Sequence, residues 1–515
     1  MRVGVDVGGT HTDAVLMDGS EVIAYAKKTT SSDVATGILD ALSALPLEAF
    51  SDRIELAVIG TTQFTNAVAE REQLSKVTVV RASAPSGRGL NPRLDWPSDI
   101  AAATDGGAYV VAGGNLYSGE ELAPLNQREI DAAIEQIRAS KVREVCISAP
   151  FSHCFPELEQ ELERHFLGAI PDLSLTLSSQ FGSLGLIERE SAAILNAALR
   201  QFAQFVCKGF QLALDKSGLV CPIFVSRNDG TVASLETVKK FPATTFSSGP
   251  TNSLRGASKL TGLLDAIVVD IGGTTSDIGV IENGFPRTSG LTVDVCGVRT
   301  NFEMPDIVAV PIGGGTVIAK DGRCVGPHSV GSDLKRRALS HGGDTFTVTD
   351  LAAALERLNF GDSVNLKSVP TATIVEADSL ITKTIREAIE SVKPNAARLP
   401  VVFVGGGASL VDAEKISGGK CVRPPSGGVA NAIGATLAQV SGQAEILCEN
   451  TAESLKSGRE KVITLASQSA LLQGGNPETQ RTLYVRETGL AYSGNTRIRL
   501  QAKVITDLSL RAPHR

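Results

Sequence analysis

No run of apolar residues in this sequence approaches the roughly 18 that a membrane helix requires. The longest strand-like stretches, AIVVDIGG and VVFVGGG, are cut short by Asp or Gly. A spanning segment is therefore not expected. Nor is an export signal, because Asp6 interrupts the apolar start VGVDVGG, and the chain reads as cytoplasmic. No C-x-x-C pair occurs among the eight cysteines, which argues against a disulfide framework and against a structural zinc site in a chain of 515 residues. Basic residues are not in excess. The 49 Lys and Arg face 56 Asp and Glu, and the net charge of -7 disfavours nucleic acid as a partner without bearing on a local phosphate pocket. Six histidines, scattered as His153, His328, His341 and others, make no metal-ligand spacing and no Ser-His-Asp order. The Walker sequence G-x-x-x-x-G-K-[ST] and the dinucleotide fingerprint are also missing. What is left is a globular composition, 42% hydrophobic and 20% charged, with length enough for two to four domains.

An internal repeat organises the chain. RVGVDVGGTHTD, ending at Asp13, and AIVVDIGGTTSD, ending at Asp277, share an apolar run followed by Asp-(Val/Ile)-Gly-Gly-Thr-x-(Thr/Ser)-Asp. Each continues into a second strand-like segment with turn residues in its middle, so both read as β-hairpins. The strand delivers an Asp to a tight turn, the glycines let the backbone come close, and free N–H and hydroxyl groups point at an anion. Two related halves, each carrying a hairpin phosphate loop, are expected.

LAVIGTT, VREVCISAP, LSLTLSSQ, CPIFVSRNDG and PVVFVGGGASL read as strands that end in polar or Gly-rich loops, where α/β folds place their chemistry. A helix is predicted over Ile187–Lys216, with Ile187, Ile194, Leu195, Ala198, Leu199, Phe202, Phe205 and Val206 as a core-facing stripe. The polar stretch SSQFGSLG at 178–185 suits a passage between halves, and RPPSGG at 423–428 marks a loop. The expected division is therefore 1–178, 179–445 and a C-terminal segment 446–515 that ends in LRAPHR and has no functional reading.

Two copies of D-x-G-G-T followed by a third glycine cluster, VGGGASL at 404–410, resemble the actin, sugar kinase and Hsp70 superfamily. That likeness implies an α/β fold of two duplicated actin-like (ribonuclease H-like) domains with an ATP cleft between them. Within the superfamily the chain resembles the hydantoinase and 5-oxoprolinase A family, N-methylhydantoinase A-like, which includes the ATP-using subunits of acetone and acetophenone carboxylases. The segments that carry the resemblance, besides the two loops, are GTTQFTNAVAER at 60–71, FPATTFSSGPTNSLRGA at 241–257, AVPIGGGTVIAKDGRCVGPHSVGSD at 309–333, TVTDLAAAL at 347–355 and GGVANAIGA at 427–435. His11 stands where family members usually carry an aromatic residue, and LKRRALSHGG stands in place of their Pro-Gly-Pro-Ala-Cys-Tyr run.

The resemblance implies an ATP-dependent hydrolase of a cyclic amide, a hydantoin or a 5-oxoproline-like lactam, that activates the amide carbonyl by phosphorylation from ATP-Mg²⁺. A small-molecule kinase of the same superfamily, or an ATP-using subunit of a carboxylase-type complex, is the alternative. A separate B-type partner subunit and a homo-oligomer are further expectations. Asp6 and Asp270 are the expected catalytic and magnesium-holding carboxylates, largely through water. Gly8, Gly9, Thr10, His11 and Asp13, with Gly272, Gly273, Thr274, Thr275 and Asp277, would bind phosphates, although Asp13 and Asp277 could equally cap their own loops. Gly405, Gly406 and Gly407 would let adenine approach the backbone. Thr61, Thr62, Thr65 and Asn66, and Gly313, Gly314, Gly315 and Thr316, follow strands in the same manner and are candidates for the substrate or metal side, with turn and cap roles as the other reading.

Overall fold

The computed structural model describes residues 1–30, 34–181, 184–290, 292–359, 366–395, 399–490, 493–494 and 496–509. Two mixed sheets dominate it. In the first, the strands lie in the order 232–234, 223–226, 56–61, 2–7, 11–18, 21–29. Strand Arg2–Val7 runs antiparallel to His11–Asp18 and parallel to Leu56–Thr61, and it is buried on both faces, which is why its sequence is a nearly unbroken apolar run. In the second sheet, Ala266–Ile271 runs antiparallel to Ser276–Glu282 and parallel to Val401–Val404, which is followed by Cys421–Val422.

The registers of the two sheets correspond residue by residue. Asp6 lies opposite Asp13, and Asp270 lies opposite Asp277. Each hairpin turn is closed by one backbone bond of the same type, Gly8 N–H to His11 O at 3.0 Å and Gly272 N–H to Thr275 O at 2.9 Å. The repeat in the sequence is thus a repeat in hydrogen bonding.

Two helices lie between the sheets: Ser248–Thr261 touches both, and Ala430–Ala435 packs on the first while its Ala430 joins the apolar cluster with Val402 and Val404 of the second. They meet backbone to backbone. A Cβ on Gly256 would fall 1.9 Å from Ala430 O, and one on Gly434 would fall 1.9 Å from Asn252 O, so only glycine permits this contact. Gly4 holds the same short helix against the first sheet, since a Cβ there would sit 2.2 Å from Ala432 O. The glycines of GGVANAIGA and FPATTFSSGPTNSLRGA therefore set how closely the sheets approach.

A four-stranded parallel sheet, in the order 105–112, 77–84, 144–148, 174–177, is inserted within the first region. The chain then returns through the helix Leu186–Lys216, which the periodicity anticipated, and adds strands 223–226 and 232–234 to the first sheet. Residues 1–178 therefore do not hold the whole first sheet. The helix buries Ile194, Leu195, Ala198, Leu199 and Val206 as expected, but Phe205 is 73% exposed. Its neighbour Val206 takes the core position, and one residue of α-helix turns a side chain by about 100°. The C-terminal sheet begins at Gln439, so the boundary expected at 446 falls inside the strand Gln439–Glu449. That strand pairs with Arg497–Asp507, which pairs with Arg481–Gly489, and helix Ala452–Leu472 covers them. Residues 182–183 of SSQFGSLG and the tail LRAPHR lie outside the described residues.

All eight cysteines are free thiols. No helix among the described residues is long and apolar enough to cross a membrane.

Candidate functional site

The two hairpin tips face one cleft of about 400 Å³. Asp6, Gly8, Thr10, His11 and Asp13 line it from the first sheet, and Asp270, Gly272, Gly273 and Gly405–Gly407 line it from the second. The tips come together closely: a Cβ on Gly273 would lie 3.4 Å from the Thr10 hydroxyl. Thr30 braces the first loop, its hydroxyl donating to Gly8 O at 2.7 Å and its N–H to Thr10 O at 3.0 Å.

The carboxylates are crowded and poorly hydrated. Burial, then the neighbouring charges of Asp13 and Asp270, push the Asp6 carboxyl up to about 7. Asn431, on the short central helix, donates to Asp6 Oδ2 at 2.7 Å, while the buried Asp6 Oδ1 has no hydrogen-bond partner among the described residues. Burial also raises Asp13, against the pull of Lys27, whose Nζ lies 2.8 Å from Asp13 Oδ2; Asp13 Oδ1 is buried and unpartnered. Burial raises Asp270, opposed by a hydrogen bond with Ser253, and burial followed by the Asp270 charge pushes Asp277 up to about 7. Four acidic groups held without enough counter-charge are a set that would favour a cation.

Third in the cleft wall is the cluster after strand Val401–Val404. Gly405 has φ +85°, and a Cβ there would lie 2.2 Å from Asp270 Oδ1 and 2.4 Å from Ile271 O. Only glycine fits both the conformation and the space. Gly407 N–H donates to Ile271 O at 2.8 Å, which ties this cluster to the second loop.

The remaining candidates divide. Gly314 reaches the cleft wall. Gly313, Gly315 and Thr316 instead form a buried layer under the second loop: Gly314 N–H donates to Gly272 O at 3.0 Å, Gly315 N–H to Gly273 O at 2.7 Å, and a Cβ on Gly313 would lie 2.5 Å from Thr274 N. Thr61, Thr62 and Asn66 do not line the cleft. The Thr61 hydroxyl accepts from Gln63 N at 3.2 Å at the start of the next helix, the Thr62 N–H donates to Val7 O at 3.4 Å, and Asn66 is exposed in a separate surface groove beside Phe202 and Phe205. The turn and cap reading fits the Thr61 hydroxyl, which satisfies a backbone donor at the start of the helix, whereas Thr62 makes no side-chain cap and its hydroxyl donates to Val7 O at 3.4 Å. Asp277 and the Thr274 and Thr275 side chains stand at the second tip without lining the cleft.

Lys27, Asn431 and Ser253 were not singled out by the sequence. Lys27 is the one Lys or Arg among the described residues that lines the cleft, and it also reaches Gly428 O at 3.4 Å across to the second half. Its signal was present in the register, since Lys27 lies opposite Asp13 on the return strand of the first hairpin. Asn431 lies in GGVANAIGA, a segment quoted for its likeness but not for a side chain. His11 lines the cleft, with Nδ1 3.2 Å from the Thr10 hydroxyl, and burial together with Lys27 lowers its proton affinity.

Tertiary structure also gathers His153, Cys154 and Glu445, with ligand atoms within 4.8 Å of one another. Arg499 Nε lies 2.9 Å from Glu445 Oε1, and Arg189 lies beside His153, so guanidinium groups already neutralise this carboxylate. Burial pushes the Cys154 thiol up to about 12, away from the thiolate a metal would need. We assign this cluster to the joint between the inserted sheet and the C-terminal sheet.

These features define a class: an α/β protein with two equivalent acidic Gly-Gly-Thr hairpins opposed across one cleft. Residues 2–167 match the hydantoinase/oxoprolinase N-terminal region, and residues 189–364 match hydantoinase/oxoprolinase itself. The chain belongs to the hydantoinase/oxoprolinase family. It is 25% identical over 495 residues to an uncharacterized protein of Methanocaldococcus jannaschii, covering 85% of this chain and 72% of that one. It is 27% identical over 386 residues to caprolactamase subunit alpha of Pseudomonas jessenii, covering 70% and 55%, and 26% identical over 398 residues to the acetophenone carboxylase gamma subunit of Aromatoleum aromaticum, covering 69% and 53%. The chain thus spans little more than half the length of these two relatives. Its fold matches the crystal structure of ATP-dependent caprolactamase from Pseudomonas jessenii with a TM-score of 0.78 at 20% identity, over 100% of this chain and 88% of that one. Nucleotide-free acetone carboxylase gives 0.68 at 16% identity, over 99% and 88%.

Proposed function

We propose that this chain is the ATP-using component of a cyclic-amide hydrolase. The observation that carries the reading is the opposition of Asp6 and Asp270 on matched hairpins across one cleft, in a chain whose family relatives include a caprolactamase subunit. The equivalent registers support two duplicated, actin-like halves that bind nucleotide between them. Family membership supports ATP as the cosubstrate. For magnesium the residues fit: Asp6 Oδ1 and Asp13 Oδ1 are buried hard-oxygen donors without partners among the described residues, and Asp6, Asp13 and Asp270 are all held against their own charge.

A lactam resists water because resonance weakens the carbonyl as an electrophile and the nitrogen as a leaving group. Transfer of the γ-phosphoryl group of ATP to the amide oxygen would give an imidate phosphate with an electrophilic carbon, and magnesium, which Asp6 and Asp270 would hold largely through water, would offset the phosphate charge. The backbone N–H groups of Gly8–Thr10 and Gly272–Thr275 and the Thr10 hydroxyl would donate to the developing charge, with His11 beside the first tip, and Lys27 would add the cleft's own cation. Gly405–Gly407 would let adenine lie against the backbone, and Gly314 would border the substrate. One of the two carboxylates would orient the water that adds to the activated carbon. Once water has added, the C–N bond breaks with the amine leaving and an acyl phosphate remaining, and a second water releases phosphate, so amide, ATP and two waters give the amino carboxylate, ADP and phosphate. A partner subunit and a homo-oligomer belong to this reading, since the relatives are named as subunits.

The test is phosphate release by the purified chain with ATP, Mg²⁺ and a panel of lactams and hydantoins, alone and with a B-type partner. Lactam-stimulated release together with ring-opened product is expected. Unstimulated release in every combination would overturn the reading. A second reading, an ATP-using carboxylase subunit, is favoured by the acetophenone carboxylase relative, and bicarbonate-dependent product would mark it. Phosphate retained on the small molecule would instead mark a kinase.

A further inference from the structure

The strand expected at CPIFVSRNDG ends in a polar loop, yet Arg227–Gly230 does not reach the phosphate cleft. It opens instead onto a second cavity of about 280 Å³, which shares no lining residue with the first. Four parts of the molecule meet there: the Arg227–Asp229 loop, the turn at Gln180–Phe181, the segment Asn301–Glu303 and the C-terminal sheet through Tyr484, Arg486 and Arg499. The floor is apolar, with Phe181 and Phe302 buried and packed edge to face at 6.3 Å.

The charges lining this cavity do not cancel. Asp229 is fully engaged: Oδ2 accepts from Lys503 Nζ at 3.0 Å and Ser441 Oγ at 2.8 Å, and Oδ1 accepts from Thr231 Oγ1 at 2.5 Å and Thr231 N at 3.0 Å. Glu303 is engaged as well, by Lys503 at 3.1 Å, by the Tyr484 hydroxyl at 2.9 Å and by Gln443. Arg499 is held by Glu445. Arg227 and Arg486 are different. The Arg227 side chain donates to the neutral Gln473 amide oxygen at 3.2 Å, its buried Nε has no partner among the described residues, and Asp229, which feels its charge, lies beyond ion-pair distance. Arg486 donates to the Thr288 hydroxyl at 2.9 Å and stacks on the Tyr484 ring at 4.1 Å. Neither forms an ion pair among the described residues. Two guanidinium forks with neutral partners, aimed at one cavity over an aromatic floor, are suited to a planar carboxylate. The volume holds roughly nine water-sized groups at about 30 Å³ each.

The geometry points to a binding site for a small organic carboxylate in this cavity, held by Arg227 and Arg486, separate from the phosphate cleft. Asn228, Asn301 and Gln501 offer amides for a polar tail. The site rests on its own residues and not on the proposed reaction, although the ring-opened amino carboxylate of that reaction belongs to the class it would take.

Calorimetric titration of the full chain, without ATP, tests it with acetate, glutarate and 6-aminohexanoate, and with 6-aminohexanamide as the neutral control. Saturable binding of at least one carboxylate is expected, with 6-aminohexanamide at least tenfold weaker than 6-aminohexanoate. Arg486→Met, at an exposed position and so compatible with folding, and Arg227→Met should each weaken binding at least tenfold, while Asp6→Asn in the other cleft leaves it unchanged. Binding by none of the three carboxylates, or binding indifferent to Arg486→Met, overturns the site. Loss in Asp6→Asn instead places the ligand in the phosphate cleft and overturns it too. None of these outcomes depends on ATP turnover, so failure here leaves the hydrolase reading to its own test.

Discussion

The two hairpin loops have the same hydrogen-bond register but differ in part of their support. Around the first, Asp13 pairs across the sheet with Lys27, Asp6 is gripped by Asn431, and a Cβ on Gly9 would meet nothing within 4 Å. Around the second, the residue opposite Asp277 on the next strand is Ala309, no cation among the described residues answers it, and backbone presses in from both sides through Gly313–Gly315 and Gly405. The first loop shares one close contact of this kind, a Cβ on Gly60 lying 2.4 Å from Asp6 Oδ1, but it is tuned by charge and has an open tip. The second is fixed by packing. A duplicated motif can therefore keep its geometry while its two copies come to depend on different physics.

The largest test is of what the copies share. Asp6→Asn and Asp270→Asn should each lower lactam-stimulated phosphate release by about 10²–10³-fold, the range seen when one fixed electrostatic contact to developing charge is removed. A large loss from one and not the other would break the symmetry on which the nucleotide reading rests. Next comes what differs. Gly313→Ala would set a Cβ 2.5 Å from Thr274 N and should cost about 1–3 kcal/mol by overpacking. Gly405→Ala, with its positive φ and a 2.2 Å clash, should cost at least as much, whereas Gly9→Ala should stay within about 0.5 kcal/mol. Thermal melts of the three variants check this ordering, and equal shifts for Gly9→Ala and Gly313→Ala would erase the distinction between the loops. Smaller again, Lys27→Met should weaken ATP binding by about tenfold, the loss of one charge-assisted contact, with the fold retained.

Much of this was legible in the sequence because it is written in local pattern. The two Asp-x-Gly-Gly-Thr motifs, their hairpins, the long helix and the glycine cluster after Val404 are each contiguous, and periodicity or turn chemistry reveals them. Residues that depend on which strands become neighbours were not legible in the same way. Lys27 and Asn431 matter because a register and a helix crossing bring them to Asp13 and Asp6. Thr61 and Thr62 looked like site residues because strand ends are where chemistry gathers, but here the Thr61 hydroxyl accepts from the backbone N–H of Gln63 and the Thr62 hydroxyl donates to Val7 O. The boundaries at 178 and 446 failed to separate sheets for a related reason, since strands 223–226 and 439–449 pair with partners far away in sequence.

The last test uses pH to separate charge from packing. Burial and like charge lift the Asp6 carboxyl up to about 7 in the nucleotide-free protein, against roughly 3.9 in an unfolded chain. The folded state therefore binds this proton more tightly, so its favourable contribution is present below about pH 4 and is lost as pH rises from there through 7. Asp6→Asn removes that loss. It should melt a few degrees above wild type at pH 8 and show little or no gain at pH 4, despite its expected loss of activity, because the charge that serves the site opposes the fold. Gly313→Ala acts through packing and should lower the melting temperature by a similar amount at both pH values. Should the Asp6→Asn advantage be constant across that range, the strain at the first loop would not be electrostatic, and the two loops would be alike in kind.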